Sequence, residues 1–472
     1  MCYTGVLAAS ETPDSPRRPR RRGNEEGGLL LSRREVRSIA DRLLAGSKSD
    51  GCEIVLRGGR EHNLRFANGG ATTNRTAEWL TLRVSAHAQE RVGLVEIASV
   101  DEAAGLRALA KAEEIARALP QDPDYVPPLG PQRYARSNLF CENTAALGLD
   151  ALASFAGSAI AQSRASEVAA FGQVASGASF FARATSAGLF SYERQSAIEL
   201  STTARNRNDA WSGWAGAKTI QAAGLNAAAL ARHACDKAAW SQEPRDLDPG
   251  SWTVVFEPEA TAELASWLLH ALDARSADEG RSFFSRKGGG NLRGEGLFDE
   301  KLTLRSDPND LIAPQKAIGF EGAPQRPRAW IENGRLVSLF LDRAYAKKRG
   351  EAPIPSASSF RMEGGSTPIE EMIRATKRGL LVTRLWYTNM LDPRSLLLTG
   401  LTRDGNFLIE DGRIVAPARN LRFNQSLAAL FAKIEALGPA EPTWRSLRDE
   451  GFGAAPAMLV SGVTFSSRSG GI

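Results

Sequence analysis

From Gly379 to Asn424 the chain alternates apolar runs, turn dipeptides and costly polar side chains without a break, and no other segment constrains the fold as much. Leu380, Leu381, Val382 and Leu385 have the composition of a buried strand. Asp404-Gly405 and Asp411-Gly412 are two-residue hairpin signals between apolar runs. Among them stand Arg384, Trp386, Tyr387, Asn389, Asp392, Arg394, Thr402 and Arg403. A sheet tolerates such side chains only where they find partners. They therefore line a site or form a satisfied polar seam.

The flanking sequence extends this β character. Trp252–Phe256 and Ala457–Val463 read as strands, and Asn333-Gly334 as a hairpin turn. Helices are predicted over 259–274, with Pro258 at the first helical position, and over 367–377 and 426–437. Residues 280–296, rich in Gly, Arg and Lys, are predicted to be a mobile loop. The C-terminal part is thus expected to be mostly β, with a closed or strongly curved sheet and few helices.

Upstream the pattern is α+β, with antiparallel strands and long helices. Ser32-Arg33-Arg34-Glu35 is a capping box that opens a helix to about Ala45. Strands are predicted at 53–57, 62–68, 80–86 and 92–97, and a helix at 101–119. After the Pro-rich stretch 120–137, this order recurs. A helix covers 150–164, short strands cover 167–174, 178–184, 188–193 and 196–204, and a helix covers 224–240. No residue-level repeat accompanies it. The segment EPRDLDPG at 243–250 reads as a boundary. The expected organisation is a disordered basic tail (1–31), an N-terminal α+β domain (32–245) and a β-rich C-terminal domain (246–472).

Charge and composition remove several function classes. Eight Arg against five acidic residues between Met1 and Arg37 supply +3 of the chain's +5, so the remainder is nearly neutral and a nucleic-acid face is not expected. No apolar run reaches the roughly 18 residues a membrane helix needs. The Arg17-Arg18 pair lacks the apolar segment of an export signal. Four scattered cysteines without a CxxC fit reduced thiols and a cytoplasmic protein. His62, His87, His233 and His270 are too far apart for two to share a helical turn, which removes any zinc helix. His233 and Cys235 are expected to pack in a core, His270 to sit at a core edge, and His62 to approach Cys52 across a hairpin. Glu257, Glu259 and Glu263 suit a helix N-terminus. Gly288–Gly290 lacks the Lys-Ser/Thr ending of a phosphate loop, and no Ser sits in a nucleophile elbow.

The ordered series Arg65-Phe66-Ala67-Asn68-Gly69, Val254-Val255-Phe256, Gly319-Phe320-Glu321-Gly322, Ile331-Glu332-Asn333-Gly334, Gly379–Thr383 and Ile409–Gly412 resembles the TldD/PmbA (TldE) family of metallopeptidase subunits. The resemblance spans roughly residues 35–472. It implies a catalytic relative with HExxxH on the helix after the first C-terminal strand and a later Cys as third zinc ligand. Here that position reads Phe256-Glu257-Pro258-Glu259-Ala260-Thr261-Ala262-Glu263-Leu264, without His, and no Cys follows Cys235. No catalytic or metal residue carries over.

By resemblance, then, the chain is a TldE-like, non-catalytic subunit. Its expected partners are an HExxxH-bearing TldD-like subunit, which holds the zinc, and unfolded peptide substrates. Arg384, Trp386, Tyr387, Asp392, Arg394 and Arg403 are the candidates for contacting peptide in the cavity. The alternatives are a stand-alone peptide- or small-molecule-binding scaffold, a metal-independent enzyme using the Arg/Tyr/Asp cluster, and, weakest, a DNA-binding protein acting through its tail.

Overall fold

The computed structural model describes residues 30–206, 211–240, 243–445, 447 and 451–469; the tail predicted over 1–31 lies outside them up to residue 29. Helix α1 (Arg33–Ala45) begins at the predicted capping box. Ser32 N–H donates to Glu35 Oε2 at 2.7 Å, and Glu35 N–H donates to Ser32 Oγ at 3.3 Å.

Strands β1 (Gly51–Ala67), β2 (Gly70–Ala88) and β3 (Arg91–Ile97) follow, then α2 (Glu102–Ala118). After a coil and the one-turn α3 (Glu142–Ala145), the series recurs as α4 (Leu149–Ala165), β4 (Ala169–Thr185), β5 (Phe190–Arg205), β6 (Ser212–Thr219) and α5 (Ala227–Ala238). The two halves meet through β1 and β4, giving one six-stranded antiparallel sheet in the order β3-β2-β1-β4-β5-β6.

Several predicted short strands are single long ones. The stretches 53–57 and 62–68 are both β1, 167–174 and 178–184 are both β4, and 188–193 and 196–204 fall together in β5. Within β1 a glycine makes room for a neighbouring ring. A Cβ on Gly58 would lie 2.6 Å from the Phe180 ring and 2.8 Å from Leu80. Cys52 and His62 share β1 and do not face each other across a hairpin.

Strand alternation divides this sheet into two faces. Ile54, Leu56, Leu82, Val84 and Ala182 pack under α1 and α2, while Leu64, Phe66, Val174, Ile198 and Leu200 pack under α4 and α5. These four helices therefore cover one face. The other presents Arg57, Arg83, Arg183, Glu199, Ser212 and Trp214 towards the C-terminal region.

That region contains β7 (Gly250–Phe256), α6 (Pro258–His270), α7 (Ala274–Asp278), β8 (Leu304–Ser306), β9 (Arg328–Glu332), β10 (Arg335–Leu336), α8 (Arg343–Arg349), β11 (Phe360–Met362) and α9 (Ile369–Ala375). It continues with β12 (Arg378–Asp392), β13 (Leu397–Glu410), β14 (Arg413–Pro417), β15 (Leu421–Ser426), α10 (Leu427–Phe431), β16 (Ile434–Pro442) and β17 (Gly453–Arg468). The eleven strands form one mixed sheet. Within it β7, β12, β13, β15 and β17 close a ring, because β17 pairs with both β15 and β7. The expected closed β architecture is present.

Three local expectations change. Residues 426–437 are a short helix followed by β16, because Ile434 and Leu437 are drawn into pairing with β17. Residues 280–296 are irregular but tied down, with Arg286 bonded to Glu295 and Asn291 to Asp278. Asp404-Gly405 is no hairpin: β13 runs straight through it as a bulge opposite Thr383, and the turn joining β12 to β13 lies at 393–396. Asp411-Gly412 does form its hairpin, between β13 and β14.

Candidate functional site in the seam between the two sheets

The bulge in β13 aims a side chain. Asp404 and Gly405 adopt φ of 53° and 125°, and a Cβ on Gly405 would lie 2.5 Å from Thr383 Oγ1. Bulges redirect side chains in this way. The buried Asp404 carboxylate is thereby presented to the other sheet, where Ser212 Oγ donates to it at 2.8 Å. Arg384 Nε stands 3.8 Å from Asp404 and Arg403 Nε 3.6 Å. The Arg384 guanidinium lies between two indoles, 4.8 Å from the Trp214 ring and 4.8 Å from the Trp386 ring. Arg403 also stacks on Trp386, at 5.1 Å.

The six candidate contact residues separate into two groups. Arg384, Trp386 and Arg403 share this seam. Tyr387 sits beside it on a second bulge of β12, 72% exposed and with φ of 51°. Asp392 and Arg394 lie far off at the hairpin tip. There the Asp392 carboxylate accepts from Arg394 N–H at 3.0 Å and from the Ser395 hydroxyl at 2.5 Å, a local turn contact.

A second cluster surrounds the start of α6, the position the family's zinc helix takes by resemblance. Glu257 is buried and accepts from Lys237 Nζ at 2.7 Å, with His233 Nε2 3.3 Å away. Both partners lie on α5. His233 is thus not a core residue: its side chain is 56% exposed and its ring meets Glu257, which sequence reasoning missed because the contact joins distant segments. Burial alone would raise the Glu257 carboxyl, but the Lys237 ammonium and the His233 ring outweigh it and hold it down at about 2. Burial also pulls the Lys237 ammonium below its usual range, against the opposing attraction of Glu257.

Two residues on, Glu259 accepts from Trp444 N–H at 2.9 Å. Burial pushes its carboxyl up to about 7, against that hydrogen bond and the nearby Arg384 charge. Trp444 in turn meets Trp214 edge-on at 6.2 Å. Glu263 accepts from Trp267 Nε1 at 3.0 Å. The α6 acids therefore do more than complement a helix dipole.

These residues do not fit a zinc ion. The first acid is bound to an ammonium group, α6 offers no imidazole in its opening turns, and among the described residues no three His, Cys, Asp or Glu side chains converge as ligands. The buried thiols of Cys52 and Cys235 are each pushed up to about 11 by burial, so they are poor nucleophiles.

The raised Glu259 carboxyl makes a testable statement. A group raised from 4.5 to about 7 contributes stability that is fully present below pH 4.5 and lost as the pH climbs to 7. Glu259→Gln is therefore expected to stabilise the protein by roughly 1–2 kcal/mol at pH 8 and by little at pH 5. Urea unfolding at the two pH values checks this; a pH-independent difference would contradict it.

A groove along the open face of the N-terminal sheet completes the seam. Three cavities of about 390, 420 and 430 Å³ succeed one another there. The first two share Arg57, Phe181 and Lys316, and the second and third share Glu61 and Arg75.

Residues 249–467 match the family model described as the PmbA/TldA metallopeptidase C-terminal domain. That match identifies the C-terminal region as a domain of the PmbA/TldA type. Solved structures share the whole fold. TldE from Thermococcus kodakarensis is 18% identical, with a TM-score of 0.79 over 91% of this chain and 99% of its own. A protein provisionally described as a modulator of DNA gyrase, from Bacteroides thetaiotaomicron, is 20% identical, with a TM-score of 0.77 over 91% and 98%. A similarly described protein from Thermotoga maritima is 16% identical, with a TM-score of 0.77 over 91% and 100%. No curated protein sequence matches the chain. The TldD/PmbA fold thus accounts for both sheets. Among the described residues, no helix is long and apolar enough to cross a membrane.

Proposed function

We propose that this chain is a TldE-type, non-catalytic subunit of the TldD/PmbA family. It walls a channel for unfolded peptides and completes a peptidase whose zinc is carried by an HExxxH-bearing TldD-like partner. One observation carries the reading. At the start of α6, where a metal helix needs two imidazoles one turn apart and a free carboxylate base, Glu257 is instead bound to Lys237 and His233. A carboxylate neutralised by an ammonium ion at 2.7 Å is a structural tie and does not activate water. The fold shared with TldE and the open groove between the two sheets also support it. The reading places the protein in the cytoplasm and gives it no role on DNA.

The test is reconstitution. The chain is expected to co-purify with an HExxxH-bearing relative expressed beside it, and an unfolded peptide is expected to be cleaved only by the mixture. A chain that stays monomeric in the partner's presence, with cleavage by the partner unchanged, would overturn the proposal.

Tyr387 offers a narrower test of the channel wall. A non-glycine residue at φ 51° is strained, and an exposed Tyr receives little packing in return. Tyr387→Gly is expected to leave stability unchanged or raise it by about 0.5–1 kcal/mol. In the reconstituted complex it is expected to raise the KM for peptide. Unchanged KM would remove Tyr387 from the wall.

A further inference from the structure

We propose that the cavity where the N-terminal sheet meets the end of α6 binds the carboxylate of an extended peptide lying in the groove. The cavity has a volume of about 390 Å³, within the usual range for ligand sites. Five cationic side chains line it: Arg57, Arg83 and Arg183 from the sheet, and Lys316 and Arg445 from the C-terminal region. Among the described residues lining it there is no Asp or Glu.

Strand register causes this. Arg83 and Arg183 both pair with Val55, on either side of it, and Arg57 pairs with Phe181, so the three guanidinium groups share one patch of the helix-free face. The balancing carboxylates stand outside the wall. Glu96 serves both Arg83, at 2.9 Å, and Arg57, at 3.3 Å, while Glu53 serves Arg183 at 3.2 Å. The Nε–H groups of Arg57 and Arg183 are buried without an acceptor, and Arg57 and Arg83 share the single carboxylate of Glu96, so the patch keeps unmade donor capacity and an excess of positive charge. A cation-lined pocket favours an anionic group, and guanidinium groups match a carboxylate in shape and charge.

The surroundings select a peptide over a free inorganic anion. Phe181, Leu269 and the 78%-exposed Phe320 give the cavity an apolar flank. It also opens into the neighbouring cavities along β1, from Val55 to Arg65. Ten residues of strand span roughly 33 Å, the length of an extended peptide of similar size. The adjoining cavity carries Glu61, Glu78 and Glu193 beside its cations, so only the Arg183 end is purely cationic. That asymmetry gives the bound chain a direction, with its carboxylate at the α6 end. The choice of a peptide as ligand rests on the peptide-handling reading above, but the binding needs no partner subunit.

The experiment therefore uses the full chain alone. Titration calorimetry would compare a ten-residue unfolded peptide bearing a free carboxyl terminus with its amidated form, with inorganic phosphate as a third probe. The free-carboxylate peptide is expected to bind at least about tenfold more tightly than the amide and to weaken between 50 and 200 mM salt. Lys316→Gln and Arg445→Gln are each expected to reduce the difference between the two peptides severalfold, with circular dichroism and Tm confirming that the fold is kept. Equal binding of the two peptides, phosphate binding without peptide binding, or variants indistinguishable from the parent would each overturn the inference. Loss of cleavage in the reconstituted pair, with carboxylate binding intact, would count against the TldD/TldE-type assembly and leave this site standing.

Discussion

Replacing Lys237 with methionine is expected to destabilise the protein by about 3–5 kcal/mol, because it leaves the buried Glu257 carboxylate without its ammonium partner. The side chains are only 7% and 8% exposed, so water cannot take over the role of Lys237. The pH dependence should also reverse sign. In the parent protein Glu257 is held at about 2, below its usual 4.5, so its stabilising contribution is present above pH 4.5 and is lost as the pH falls towards 2. Without Lys237, burial raises the carboxyl above 4.5, and stability should then increase as the pH is lowered through the raised value. The double variant Lys237→Met/Glu257→Gln should recover a large part of the loss, since it leaves no buried charge unpaired. Denaturant unfolding from pH 3 to pH 8 checks all three statements. A loss below 1 kcal/mol, with the parent's pH profile retained, would show that the pair is solvated.

Arg384→Ala is expected to cost about 2–4 kcal/mol, and Arg384→Lys should restore little of it. The guanidinium fills the space between Trp214 and Trp386, one from each sheet, and neutralises Asp404, which is 9% exposed and bound to Ser212 across the seam. A lysine keeps the charge but cannot stack as a plane between two indoles. Because Arg384 also attracts the Glu259 carboxylate, its loss should raise that carboxyl further above about 7. Tryptophan fluorescence and urea unfolding report the seam directly. A change under 0.5 kcal/mol with an unaltered emission spectrum would show that Arg384 holds nothing together.

These two variants probe one physical arrangement. Lys237 and Trp214 belong to the six-stranded sheet and its helices, while Glu257, Arg384 and Asp404 belong to the closed β ring. Apolar contacts cross the same boundary: Trp211 from β6's approach meets Phe407 of β13 at 5.4 Å, and Trp240 meets it at 5.5 Å. Where they face the six-stranded sheet, Arg384, Arg403 and Asp404 thus pair with one another and with Ser212, while Tyr387 beside them is exposed.

Local signals were legible wherever one short segment decides the outcome. The capping box at Ser32, Pro258 at the first position of α6, and the Asn333-Gly334 and Asp411-Gly412 turns each depend on neighbouring residues alone. Period-two alternation likewise marked most strands, and the absence of paired imidazoles was visible without any structure. The errors came where distant chain intervened. Residues 58–61 read as a gap between two strands until β2 and β4 are seen pairing with β1 through them, and Asp404-Gly405 reads as a turn until Thr383 of β12 is seen opposite it. His233 reads as core because nothing local announces Glu257.

The sequence by itself thus determined the α+β order, the repeated helix–strand–helix plan and the lack of a zinc helix, since these follow from dihedral preference, periodicity and residue type. Only the tertiary structure decided that the two halves join through β1 and β4, that β7 and β17 close the ring, and which charges meet across the seam. Strand partners and ion pairs are contacts between residues far apart in the chain. Their energies depend on burial and register, which no local pattern encodes.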